Sequence, residues 1–170
     1  MTDIVKELLD EDAFDPKKLF NEEEYSTLII KRDGFNKKEN NAADLLEGLL
    51  DKEITRAESE EIFLKLKESN SVEIMVDAIK KAQRVEEKTI LAAACWESCL
   101  DFTNHFLFFA ELACNDNLLL SLEGLTVVEN CEGTIDESTL TKALEIAQNS
   151  KSKNRELVEA LITNIKSRIV

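Results

Sequence analysis

AAACWESCLDFTNHFLFFAELAC (residues 92–114) decides how this chain is read. It holds the only tryptophan (Trp96), the only histidine (His105), three of the four cysteines and four of the eight phenylalanines. It carries no lysine or arginine. Neither does the whole interval between Lys88 and Lys142, which nonetheless has nine Asp and Glu residues. With one proline and four glycines in 170 residues, the chain has too few turn-formers for an all-β fold. Long runs rich in Leu, Glu, Lys and Ala predict an all-α protein. At this length a continuous core needs neither disulfides nor a structural metal.

Outward from that segment, helix signals recur in pairs. Thr55 and Glu58 have capping-box spacing, followed by an apolar stripe of Ile62, Phe63 and Leu66. Ser71 opens the next helix, with Ile74, Met75, Ala78, Ile79 and Ala82 predicted inward, and its partner spans about 86–101. Further pairs cover about 104–115 with 117–132, and 136–149 with 152–169. The first helices end AIKKAQ (78–83), FAELAC (109–114) and ALEIAQ (143–148), and the second contain CWESC (95–99), VVENC (127–131) and LITNI (161–165). This register equates Trp96, Val128 and Ile162, then Cys99, Cys131 and Ile165, at separations of 31 to 34 residues. A period of that size means that each pair buries its apolar face by stacking on its neighbours. Before it, Thr2 or Asp3 could cap a helix ending near Leu9, Asp15-Pro16 restarts one, and Asn21 caps another stopped by Gly34 and Phe35. NKKENN (36–41) is the most linker-like segment, and a helix follows over about 42–52. The expected organisation is one domain: an N-terminal helical cap (1–54) and helix pairs (55–170).

Over residues 55–170 this pattern resembles HEAT/armadillo-type α-solenoids. The stretch AAACWESCLDF…FFAELAC…LTVVENC is similar to uncharacterised bacterial proteins of that HEAT-like class. The resemblance implies antiparallel helix pairs stacked as an α-α superhelix, displaying a curved surface for partner recognition. It implies no catalytic residues and no cofactor.

The formal charge of −14 repels phosphate backbones, which excludes nucleic acid as an expected partner. It equally disfavours anionic membranes and favours a basic protein or peptide. MTDIVKELLDED lacks the basic and apolar regions of a signal peptide, and the run Phe106 to Ala110 is too short to span a bilayer. A cytoplasmic monomer or weak homodimer with reduced, core-filling cysteines is expected.

Read as a helix to Asp101, the second helix of the central pair places Ala92, Cys95, Trp96, Cys99 and Leu100 on one apolar arc. Glu97 and Asp101 fall opposite at i and i+4, where like charges cost a few tenths of a kcal/mol. Glu129 is the repeat equivalent of Glu97, and Ser98, Asn130 and Asn164 are equivalent to one another. The expected partner surface is therefore Glu97, Ser98, Asp101, Glu129, Asn130 and Asn164. The alternatives are a metal-dependent enzyme with Glu97, Asp101 and His105 at successive helical steps, or a structural homo-oligomer in which exposed solenoid ends self-pack. Against the enzyme, Thr103 and Asn104 look like a new helix start, which places His105 near Phe109 and Leu112. The cysteines lack the paired spacing of zinc sites. The phenylalanines and LLLSL (118–122) are expected to be core, and Gly124 to mark a close helix–helix approach.

Overall fold

Four polar side chains start four of the helices, each by turning back onto a backbone N–H that lacks an intrahelical acceptor. Asn41 accepts from the Asp44 N–H, Asn117 from Leu120 and Asp136 from Thr139. Thr55 and Glu58 form a reciprocal capping box, with the Thr55 N–H donating to the Glu58 carboxylate at 2.8 Å. Bonding to Thr55 and Thr139 holds the Glu58 and Asp136 carboxyls below their ordinary pKa values.

The computed structural model describes residues 41–169, so the expected elements at 1–40 lie outside the described residues. By contacts the chain divides into Met1–Glu39 and Asn40–Val170, and the second unit carries every helix that follows. These are α1 (Ala42–Leu49), α2 (Arg56–Glu68), α3 (Val72–Lys81), α4 (Val85–Glu97), α5 (Phe106–Ala113), α6 (Leu118–Glu129), α7 (Glu137–Asn149) and α8 (Arg155–Arg168). A short 3-10 turn, Thr103–His105, leads into α5. No strand occurs among the described residues, so this unit is all-helical.

Every helix but α2, which packs on α1, packs both on a chain neighbour and on the helix two places away. α1 meets α2 and α3, α3 meets α4, α5 meets α6 and α7, α6 meets α4 and α8, and α7 meets α8. The aromatic run fills the centre as expected. Phe102, Phe106 and Phe109 are buried, and Phe109 makes edge-to-face contacts with Phe102 at 5.4 Å and with Phe108 at 5.1 Å. Phe108 is half-buried, with the Lys80 ammonium 5.3 Å above its ring.

Gly124 is where α6 comes closest to α5. A Cβ there would lie 2.7 Å from the Ala113 nitrogen and 2.9 Å from Leu112 Cβ. One turn earlier, the buried Ser121 hydroxyl donates to the Ala113 carbonyl at 2.5 Å.

Four expectations are corrected. α4 stops at Glu97, four residues early, because Ser98 closes it and Cys99 adopts φ 52°, a left-handed conformation. Cys99 is consequently exposed, not core, whereas Cys131, its register equivalent, is buried. In LLLSL only Leu120 and Ser121 are buried, while Leu118, Leu119 and Leu122 are exposed because the inward side of α6 is supplied by residues one step away. Ile74 faces outward as well, unlike Met75 and Ile79 beside it.

Two stability outcomes follow from the backbone. Gly124→Ala gains ~1 kcal/mol of helix propensity, but its methyl meets main chain that no rotamer change can move. Overpacking of this kind costs about 1–3 kcal/mol, so chemical denaturation should show a net loss of about 1 kcal/mol. Cys99→Gly relieves a left-handed side-chain conformation and should raise stability by about 0.5–1 kcal/mol in the same assay.

Candidate functional site

The ends of α4 and α6 open onto a cleft of about 870 Å³. Arg56, Glu60 and Phe63 of α2 form one wall, and Trp96 and Glu97 of α4, with Asn130 at the end of α6, form the other. An adjoining recess of about 220 Å³ shares Trp96, Cys99 and Asn130 and adds Asp101 and Glu132. A separate cavity of about 440 Å³ lies between α1, α3 and α4, lined mainly by apolar side chains such as Leu46, Leu50 and Leu91.

Trp96 organises the cleft. Its ring is half-buried, and its Nε1–H donates to the Glu123 carboxylate of α6 at 2.6 Å. A buried indole N–H needs such an acceptor, and the bond ties α4 to α6 at the cleft wall. Glu97, the next residue, is pushed up in pKa by desolvation first and by the Glu123 charge second, with Arg56 opposing both. Arg56 itself is committed to Glu60 at 2.9 Å, an exposed i,i+4 pair of the weakly stabilising kind.

The expected surface residues separate into two groups. Glu97 and Asn130 meet in the cleft, and Asp101 joins Asn130 in the recess. Glu129 is exposed in the last turn of α6. Ser98 is corrected: it is 2% exposed and its hydroxyl donates to the Cys95 carbonyl at 2.8 Å, so it closes α4 from inside. Asn164 is half-buried and accepts from Arg168 Nε at 2.9 Å. That bond aims the guanidinium at the Cys131 and Val128 carbonyls, 2.8 and 3.1 Å away, over the Phe106 ring. Arg168 thereby satisfies carbonyls left open where α6 ends.

Asp101 does not sit one helical turn beyond Glu97, because α4 has already ended. Its Oδ1 instead accepts from the Thr103 N–H at 3.0 Å and from the Thr103 hydroxyl at 2.6 Å. Thr103 Oγ1 in turn accepts from the Gly133 N–H at 3.0 Å, and a Cβ on Gly133 would fall 2.8 Å from that oxygen. His105 pairs through Nε2 with Glu73 Oε1 of α3 at 2.8 Å. The Glu97/Asp101/His105 alignment on one helix therefore does not form. Among the described residues no three His, Cys, Asp or Glu side chains converge as a metal set.

The sequence reading placed Trp96 in the core and passed over Glu123, Arg56 and Phe63 as site residues. The available signal was Glu123 itself, the one charge in the apolar run LLLSLEGL, which needed a reason to be there. The basic neighbours of the acidic segment come from outside it, as Arg56 beside Glu97 and Arg168 beside Cys131. Compared with protein-family models, curated proteins and solved structures, the chain gives no match.

A carboxyl raised in the folded state favours folding when protonated and opposes it once ionised. Its relative advantage is full below the unfolded pKa and is lost as pH rises through the folded value. Glu97→Gln should accordingly raise Tm at neutral pH, and the gain should vanish in acid below the ordinary glutamate pKa. Parallel thermal melts across that range read the difference directly.

Proposed function

We propose that this protein is a non-enzymatic, HEAT-like scaffold of stacked antiparallel helix pairs that binds a basic segment of a protein partner in the Trp96/Glu97 cleft. The stacking is supported by the spacing of its long-range polar bonds. Among the described residues, side-chain hydrogen bonds that reach beyond a local turn join residues 27 to 40 apart, apart from Ser121 to Ala113. In a quasi-one-dimensional stack each pair touches its neighbours, so contacts recur at about the length of one pair. The same reading takes the chain as a cytoplasmic monomer or weak homodimer, with no nucleic-acid or membrane partner.

The single observation that carries the binding role is the partly desolvated Glu97 carboxylate beside an aromatic wall in an open cleft. Asp101 and Glu132 add negative charge in the adjoining recess, while Arg56, which lines the cleft, is drawn to Glu60. A lysine or arginine entering there would pair with an exposed carboxylate whose pKa is pushed up by partial desolvation and by the Glu123 charge. It would also reach the Trp96 ring for a cation–π contact. Charge complementarity of this kind sets encounter rate and partner choice more than affinity.

Trp96 is the only tryptophan, so its emission reports on the cleft alone. Titration with nona-arginine at low salt should shift or quench that emission, and added salt should weaken the effect within a Debye length of about 10 Å at 0.1 M. Glu97→Lys combined with Glu129→Lys should weaken binding at least ~10-fold, or about 1.4 kcal/mol. No spectral change up to about 1 mM peptide, a Kd no tighter than that of a ~4 kcal/mol interaction, would sink the proposal.

A further inference from the structure

The exposed side of α6 is unusual for a helix in an acidic protein. At about 100° per residue, Leu118, Leu119, Leu122, Glu123, Glu129 and Asn130 fall within one arc with the half-buried Thr126 among them, while Leu120, Ser121, Gly124, Leu125, Val127 and Val128 are buried on the other side. Leu118 and Leu119 are each 59% exposed and Leu122 is 42% exposed. The first half of this face is therefore bare leucine and the second half is acid and amide. The two halves meet at Glu123, whose carboxylate holds the Trp96 indole of the cleft wall. The leucines thus share α6 with Asn130, which lines the cleft at the other end of the helix.

We infer that the outer face of α6 is a docking surface for an amphipathic helix of a basic protein partner, with Leu-like side chains on Leu118, Leu119 and Leu122 and Lys or Arg side chains on Glu97 and Glu129. This rests on the reading of the cleft as a site for a basic segment and adds the apolar half of the ligand. Charge selects the occupant. A second copy of this chain carries a formal charge of −14 and no Lys or Arg between Lys88 and Lys142, so self-docking sets carboxylates against carboxylates. A helix with leucines on one face and cations beside them matches both halves of the surface, in the helix-in-groove mode of peptide recognition.

Three peptides titrated into the full chain, followed by calorimetry and Trp96 emission, separate the possibilities. They are a roughly 18-residue Leu/Lys amphipathic helix of five turns, a scrambled peptide of the same composition, and nona-arginine. The ordered peptide should bind at least ~10-fold more tightly than the scrambled one. Leu118→Ser combined with Leu122→Ser should remove that advantage and leave nona-arginine binding unchanged. Equal affinity for the ordered and scrambled peptides overturns the docking face without needing any variant. So does a leucine variant that binds the ordered peptide as well as the parent chain. In either case, retained nona-arginine binding leaves the cleft reading standing, and failure of all three peptides removes both. Concentration-dependent sedimentation of the parent chain, lost in the leucine variant, would assign the face to a second copy and also overturn the inference.

Discussion

The contact between α5 and α6 is the constraint on which the rest of this unit depends. α5 is apolar nearly all round and sits centrally, so it must be covered on several sides at once. α6 covers it most closely, backbone against backbone, because Gly124 has no side chain and Ser121 has a small one that bonds the Ala113 carbonyl. With that distance set, α6 also lies against α4 on one side and α8 on the other. A bulkier residue at 124 would push α6 outward and loosen both of those contacts.

Helix ends supply the second organising element. Carbonyls left open where one helix stops are satisfied by side chains from the next part of the chain, not by local caps alone. Arg168 closes α6 at Val128 and Cys131, while Ser152 and Asn154 both donate to the Asn115 carbonyl after α5. Each of these bonds replaces water at an obligatory acceptor. Together they fasten successive helices at their ends, while the apolar side chains fasten them along their lengths.

Features governed by near neighbours in sequence were legible. The capping box at Thr55–Glu58, the Asp136 start of α7, the buried phenylalanines and the close approach at Gly124 each follow from residue type and short spacing. The repeat register was also informative in a limited way. It equated Ser98 with Asn130, and both do close their helices, but Ser98 turns inward to Cys95 whereas Asn130 remains exposed. Asn164 departs from the pattern because α8 continues to Arg168. The end of α4 was not legible, since its stop is a cysteine in a left-handed conformation and no glycine or proline announces it. The leucines of α6 misled for a different reason. An apolar run on both sides of a helix does not say which side finds a neighbour. The Trp96–Glu123 bond spans 27 residues and depends on tertiary packing alone.

The cysteines have a practical consequence. Burial pushes the Cys95 thiol strongly up and holds Cys131 at about 11, and desolvation raises Cys114 as well. Thiolate is the reactive species; Cys95 and Cys131 are in addition buried and Cys114 is half-buried, which leaves Cys99 as the exposed thiol. Cys99, exposed and itself in the left-handed conformation just after α4, lines the cleft with Trp96. The native sequence therefore offers one address for a thiol-directed probe. A fluorophore or spin label attached there would sit at the mouth of the cleft, three residues from the indole, with no other cysteine removed.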